Sequence, residues 1–241
     1  MQDAKTKKNS PTDVAGPETI GVIMDGNRRF ARAKGLPLFK GHEAGFEKLK
    51  EFLRWSREAG IRTVIIYAFS TENWNRAKGE VNYLMKLLER VVIDKAGELK
   101  REKFRVKFIG QLERLPEKIK IAIPKLEEET KHNRETLVVA MSYGGRAEIV
   151  EAIKKLSKEK SKDEIASLGE EEFGKYLWTV GFKDPELIIR TSGEMRTSNF
   201  LPWQSAYSEW YFTKTLWPAF TKGELLKILE DFSKRERRHG K

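Results

Sequence analysis

Ile20-Gly21-Val22-Ile23-Met24 runs directly into Asp25-Gly26-Asn27-Arg28-Arg29. An apolar run of strand length, closed by a carboxylate, a glycine and two arginines, reads as a buried strand delivering a polar turn. Five further short apolar runs follow the same logic: Val64–Phe69, Val106–Ile109, Leu137–Met141, Leu187–Ile189 and Trp210–Phe212. Helical spacing fills the intervals. A helix of about 17 residues from His42 aligns Phe46, Leu49, Phe52 and Leu53, with Gly60 as its C-terminal cap. Asn82–Val92 carries Leu84, Met85, Leu88, Val91 and Val92. Further helices are predicted after Gly145, through Phe173 to Val180, and from Gly223 to Phe232, with Lys154–Lys162 as a charged loop or frayed helix end. Strands alternating with helices predict an α/β fold: one domain with a mostly parallel central sheet of about six strands, flanked by helices.

Ligands of an open parallel sheet bind beyond the carboxyl ends of its strands. Polar or glycine-rich segments follow four of the six strands there: Asp25–Arg29, Ser70–Arg76, Tyr143-Gly144-Gly145-Arg146 and Arg190-Thr191-Ser192-Gly193-Glu194. One such turn is weak evidence, but four on one rim mark a site.

An isolated Asp-Gly-Asn is usually an Asx turn or a helix cap. The arginines change the reading of Asp25. Arg29, Arg76, Arg190 and Arg196 lie in or beside the rim segments, and Ser198 follows Arg196 closely. Guanidinium forks grip phosphate oxygens bidentately, and a hydroxyl adds a donor. Several arginines around one carboxylate suggest two diphosphates and a bridging hard cation such as Mg²⁺, which needs only one or two carboxylates when phosphate supplies the rest. Gly26 lets the backbone approach a ligand, and amides entering the next helix can cradle a phosphate. His42, starting a helix near this rim, can contact a diphosphate or assist proton removal. His132, Arg101, Arg105 and Arg114 read as solvated surface or ion-paired residues. Phe69 and Trp74 read as core, although Phe69, ending its strand, can equally wall an apolar substrate.

Composition narrows the classes. Cys is absent, which fits a reducing cytoplasm and removes thiol chemistry and Cys-ligated zinc. No run of 18 apolar residues occurs, and Met1–Pro17 reads as a polar, flexible tail ahead of a domain spanning 18–241. The net charge of +11 suits phosphorylated small molecules, anionic lipid or nucleic acid. No nucleic-acid recognition motif accompanies it.

These segments resemble the cis-prenyltransferase family, the undecaprenyl and dehydrodolichyl diphosphate synthases. The resemblance runs in order through Ile23-Met24-Asp25-Gly26-Asn27-Arg28-Arg29-Phe30-Ala31, Gly41-His42, Tyr67–Arg76, Tyr143–Arg146, Leu187–Glu194, Arg196–Gln204, Ala206–Glu209 and Tyr211-Phe212. It implies condensation of isopentenyl diphosphate onto an allylic diphosphate, farnesyl or geranylgeranyl, to give a polyprenyl diphosphate with cis double bonds. It implies Mg²⁺ on Asp25, with Glu209 near the metal and the subunit boundary. Gly26, Asn27, Arg28, Arg29 and Phe30 are implied at the allylic diphosphate, and Arg190, Arg196 and Ser198 at the isopentenyl diphosphate. His42, Phe69, Ser70, Glu72, Asn73, Trp74 and Arg76 are implied around the reacting ends, with Asp25, Asn73 and His42 as the catalytic set. A hydrophobic tunnel between the sheet and the helices of Phe46 and of Leu84–Val92 is implied for the growing chain. A homodimer is implied too, cytoplasmic, with peripheral membrane contact compatible with product release.

Two positions depart from bacterial members. Leu38 stands where many carry an arginine against the allylic diphosphate, leaving Lys40, Arg28 or Arg32 to compensate, and Arg28-Arg29 replaces Gly-Arg. Arg238-His239-Gly240 resembles the C-terminal segment by which some members complete a neighbouring subunit's site. A non-catalytic scaffold subunit is the other class weighed; such relatives lose the aspartate and glycine turn that this chain retains.

Overall fold

The computed structural model describes residues 16–235. Strands β1 (Thr19–Ile23), β2 (Thr63–Ser70), β3 (Phe104–Ile109), β4 (Glu135–Tyr143), β5 (Leu187–Arg190) and β6 (Glu209–Phe212) form one sheet in the order β3-β4-β2-β1-β5-β6. Every neighbouring pair is parallel. All six expected strands are present, their ends displaced by at most two residues. Every residue of β1 and the last seven of β4 are buried, the signature of strands covered on both faces.

Helices α1 (Asn27–Ala33), α2 (Leu38–Glu58), α3 (Lys78–Glu89), α4 (Ala96–Arg101) and α5 (Glu117–Thr130) belong to the β1–β4 half of the chain. Helices α6 (Gly145–Glu159), α7 (Lys162–Ala166), α8 (Glu170–Gly174) and α9 (Lys222–Ser233) follow. On one face of the sheet, α2 buries Gly41, Gly45, Leu49, Phe52, Leu53 and Ser56, a stripe at three- and four-residue steps. Phe52 meets Trp217 edge-on at 5.3 Å, closing this larger core. Gly60 takes the chain out of α2 at φ +84°, as the sequence suggests. The second core, on the other face, stacks Tyr67 on Phe200 at 4.7 Å beneath Tyr143 and Ile188.

Three expectations are corrected. The helix through Phe173–Val180 ends at Gly174, and isolated three-residue turns carry the chain onward while Val180 stays 54% exposed. Lys154–Lys162 is helical through Glu159, and Ser161 then caps α7 by a reciprocal pairing with Glu164. The predicted Asn82–Val92 helix starts at Lys78 and passes after Glu89 into a π-helical turn, Arg90–Asp94. Helix α5, with Pro124 inside it, was not foreseen, because its buried Ile119, Ile123 and Leu126 are diluted by lysine and glutamate.

β1 is the switch point. It pairs with β2 on one side and β5 on the other, so the chain builds outward in both directions from it. The crevice such sheets offer therefore opens beyond Ile23.

Candidate active site

Asp25 stands at that crevice, two residues past β1. Its carbonyl accepts hydrogen bonds from Thr191 Oγ1 (2.7 Å) and the Trp217 amide (3.0 Å), which anchor the backbone. Gly26 then turns at φ +106°, and a Cβ there would sit 3.0 Å from the Leu216 backbone, so only glycine fits without strain. Oδ1 of Asp25 accepts from the Gly26 amide at 2.7 Å; Oδ2 lies 3.1 Å from Arg190 Nη2 and 3.9 Å from Arg29 Nη2.

Arg190 ends β5 and is 4% exposed. Its Nη1 donates to Ser198 Oγ at 2.7 Å and to the Arg196 carbonyl. One guanidinium thus ties the β1 turn to the loop after β5. Ser192, Ser198, Asn199 and Leu201 of that loop take positive φ, uncommon for residues with a Cβ and sustained only by surrounding contacts. Those contacts come from the β4–α6 turn: the Gly145 amide donates to the Asn199 carbonyl (2.9 Å) and the Arg146 amide to Asn199 Oδ1 (2.9 Å). Asn199 Nδ2 donates to Glu72 Oε1 at 3.0 Å, tying in the segment after β2.

The end of β2 is aimed by a β-bulge. Its register with β4 slips around Ala68, so Ala68 joins Tyr67 at the cleft while Phe69 turns into the core at 2% exposure. Ser70 and Asn73 cap each other reciprocally, holding Asn73 over the rim. Trp74 packs edge-on against Phe69 at 5.0 Å, donates Nε1 to Ser142 Oγ at 2.9 Å, and carries the Arg114 guanidinium 4.9 Å above its ring. Arg114, expected as a surface residue, is exposed and rests its guanidinium on this ring.

The cleft these segments enclose has a volume of about 800 Å³, within the range of small-molecule sites. Six arginines line it (Arg28, Arg29, Arg32, Arg76, Arg190 and Arg196) against two carboxylates, Asp25 and Glu72, so it is an anion site. Glu80 steadies two of them, 2.9 Å from Arg76 and 3.4 Å from Arg28. His42 joins the lining. Burial, then the nearby Arg76, push its pKa down to about 4, so the imidazole is neutral at physiological pH. Beneath the cleft lies an apolar cavity of about 150 Å³, bounded by Phe46, Phe69, Leu88, Val92 and Met141. Met24, Asn27, His42, Ala68 and Leu84 border both spaces.

Asp25, Gly26, Asn27, Arg28, Arg29, His42, Ser70, Glu72, Asn73, Arg76, Arg190, Arg196 and Ser198 all line the cleft. Phe69 lines the apolar cavity instead, and Phe30 and Trp74 line neither. Glu209 stands apart within the chain: it begins β6 in register with Leu187, three residues back from Arg190, and pairs with Arg235. Arg238-His239-Gly240 and most of the Met1–Pro17 tail lie outside the described residues. Of the candidates for the arginine absent at Leu38, Arg28 and Arg32 line the cleft, whereas Lys40 turns to Glu43 at 2.9 Å. Tyr67 and Asn199 were missed as site residues. Tyr67 donates to the Tyr143 and Ser198 carbonyls, and burial pushes its phenol upward.

Residues 23–240 match the family model described as undecaprenyl diphosphate synthase. The isoprenyl transferase of Thermotoga maritima is 49% identical over 225 residues, covering 93% of this chain and 97% of that protein. The tritrans,polycis-undecaprenyl-diphosphate synthase (geranylgeranyl-diphosphate specific) of Methanopyrus kandleri is 44% identical over 230 residues, covering 93% and 85%. Lavandulyl diphosphate synthase from Lavandula x intermedia, solved in complex with dimethylallyl diphosphate, superimposes with a TM-score of 0.86 at 33% identity, covering 94% of this chain and 99% of that one. With a family model matched across nearly its whole length and relatives this similar over nine-tenths of it, the chain belongs to the undecaprenyl diphosphate synthase family of cis-prenyltransferases.

Proposed function

We propose that the Asp25–Arg190 cleft is where this cis-prenyltransferase joins isopentenyl diphosphate to an allylic diphosphate. The observation that carries this reading is a single buried guanidinium, Arg190, hydrogen-bonded to Asp25 on one side and Ser198 on the other within an arginine-lined cleft. Arg29 and the amides from Gly26 onward take the allylic diphosphate; Arg28 and Arg32 supply the charge that Leu38 lacks. Arg190, Arg196 and Ser198 hold the isopentenyl diphosphate. The allylic C1–O bond breaks as diphosphate leaves, the isopentenyl double bond forms the new C–C bond to C1, and a proton is lost from C2. Inorganic diphosphate, a proton and a product five carbons longer result. Charge building on the leaving oxygen is met by guanidinium groups already fixed in place, the usual electrostatic route to rate.

Mg²⁺ fits this donor set. Among the described residues no group of three His, Cys, Asp or Glu gathers as a closed metal site. Asp25 offers one partly exposed carboxylate beside the arginines, the arrangement suited to a cation that takes its remaining oxygens from diphosphate and water. When bound, the ion neutralises the departing diphosphate. His42 and Asn73, together with Ser70 and Arg76, orient the reacting ends; a neutral imidazole accepts hydrogen bonds or a proton without first losing one.

The apolar cavity is the start of the tunnel for the growing chain. Its volume matches a pocket that holds one benzene, so longer products require α2 and α3 to part. Likeness to the Methanopyrus kandleri enzyme favours geranylgeranyl diphosphate as starter, with farnesyl diphosphate the alternative. The working form is a cytoplasmic homodimer in which Glu209 and Arg238-His239-Gly240 serve the subunit boundary, and the enzyme touches membranes peripherally. No helix among the described residues is long and apolar enough to cross one. Purified protein with Mg²⁺, either starter and radiolabelled isopentenyl diphosphate tests the reading. An extended product is expected; no product with either starter, from protein that binds both diphosphates, overturns it.

A further inference from the structure

We infer that Asn199 is a positioning residue for the isopentenyl diphosphate end of the cleft, and that the Tyr143–Arg146 turn is its seat rather than a further ligand-binding segment. Two features of the rim have no part in the chemistry described so far. Glu72 is a carboxylate in a cleft whose arginines favour anions, and Gly144-Gly145 follows β4 with no side chain to offer a substrate. Asn199 joins them. Its Oδ1 accepts from the Arg146 amide at 2.9 Å, its carbonyl accepts from the Gly145 amide at 2.9 Å, and its Nδ2 donates to Glu72 Oε1 at 3.0 Å. A Cβ on Gly144 would stand 2.8 Å from that Nδ2 and 2.5 Å from Thr71 Oγ1, and one on Gly145 would overlap the Pro202 ring. The two glycines therefore make room for the loop after β5. Burial alone would raise the Glu72 carboxyl. Hydrogen bonds from its own amide and from the Asn199, Ser70 and Thr71 side chains bring it below the ordinary range, so it stays an ionised acceptor.

What Asn199 steadies is the residue before it. Ser198 and Asn199 both take left-handed backbone, at φ +49° and +63°, a region that asparagine tolerates and serine enters less readily. In that conformation Ser198 Oγ lies 2.7 Å from Arg190 Nη1, and the Arg196 carbonyl accepts from the same nitrogen. Without the Asn199 side chain this segment loses two of the bonds that hold Ser198 and Arg196 beside Arg190, and small misplacements of such groups weaken a site steeply. Glu72 lies between Ser70 and Asn73, whose reciprocal pairing shapes the rim after β2. The bond to Asn199 therefore spans the two halves of the cleft. This role rests on the assignment of Arg190, Arg196 and Ser198 to isopentenyl diphosphate proposed above.

Reciprocal exchange of the pair tests it. Asn199→Asp keeps an oxygen for the Arg146 amide but sets a carboxylate against Glu72. The double variant Asn199→Asp/Glu72→Gln restores one donor facing one acceptor, with the charge moved across the bond. In steady-state kinetics, Asn199→Asp should raise KM for isopentenyl diphosphate by about tenfold, the scale of one hydrogen bond to a charged group, and change KM for the allylic diphosphate less. The double variant should return to within about threefold of wild type, a coupling that two unrelated losses would not show. Asn199→Gly, unstrained at this φ but lacking the bond, should show the same rise and carries the test if Asn199→Asp does not fold. An unchanged KM for isopentenyl diphosphate in the folded single variants, an equal rise for both substrates, or a double variant no better than Asn199→Asp would overturn the proposal. Wild-type protein that binds both diphosphates yet makes no product would instead count against the cleft.

Discussion

Arg190 Nη2 lies 3.1 Å from Asp25 Oδ2 while Nη1 of the same side chain lies 2.7 Å from Ser198 Oγ. A side chain only 4% exposed therefore fixes the distance between the β1 turn and the loop after β5. Buried guanidinium forks are not replaceable by ammonium, which cannot reach two partners in fixed geometry. Arg190→Lys is expected to lower kcat/KM for isopentenyl diphosphate by about 10²-fold or more, the scale of losing one preorganised donor. Steady-state kinetics on variant protein with an unchanged circular dichroism spectrum checks this.

His42 should titrate near pH 4 in the free protein, because burial and Arg76 disfavour its charged form. The sign follows from linkage. Between about 4 and the ordinary 6.5 the unfolded chain holds a proton that the folded one does not, so stability rises with pH across that window. Above 6.5 the contribution is fully present; it is lost as pH falls through the folded value. Replacing His42 with glutamine should flatten that part of a denaturation-versus-pH curve. With only three histidines in the chain, NMR can follow the imidazole directly, and added pyrophosphate should raise its pKa.

Behind the sheet, Glu148 is 1% exposed and accepts from Tyr143 Oη at 2.6 Å and Gln204 Nε2 at 3.1 Å. Burial pushes its carboxyl upward despite those donors. A carboxyl raised in this way favours folding fully below its ordinary pKa, and the advantage is lost as pH climbs through the raised value. Glu148→Gln should therefore gain stability relative to wild type as pH rises from 5 to 8. Glu148→Ala, leaving the buried Tyr143 hydroxyl without its acceptor while Gln204 keeps Thr179, should cost about 1–3 kcal/mol in urea denaturation.

Leu84 borders both the cleft and the apolar cavity. Leu84→Trp should narrow that junction and shift products to shorter chains, read by mass spectrometry. Overpacking should cost about 1–3 kcal/mol of stability. Unchanged product lengths would mean that the chain grows elsewhere.

The strands were legible because parallel strands buried on both faces are written as plain apolar runs, as in Val64–Phe69. The rim was legible because arginine, glycine and carboxylate recur where those runs stop. Sequence could not reveal the slip at Ala68 that leaves Ala68 at the cleft and turns Phe69 into the core, since a bulge leaves no mark on period-two alternation. Nor could it reveal the side-chain network around Asn199, which depends on a backbone that three residues with a Cβ would ordinarily avoid: Ser198, Asn199 and Leu201. Phe30 and Trp74 fall inside matched motifs yet line neither space, because a motif preserves packing as well as chemistry. Glu209 is placed by strand register, which linear spacing does not determine.

Single-turnover elongation by Asp25→Ala, alongside calorimetric binding of both diphosphates, puts the whole cleft at risk in one comparison. The expected result is a fall in the chemical rate of about 10³-fold or more, with isopentenyl diphosphate still bound through Arg190, Arg196 and Ser198. A variant that elongates within a few-fold of wild type would mean that the carboxylate beside Arg190 is not where the allylic bond is broken.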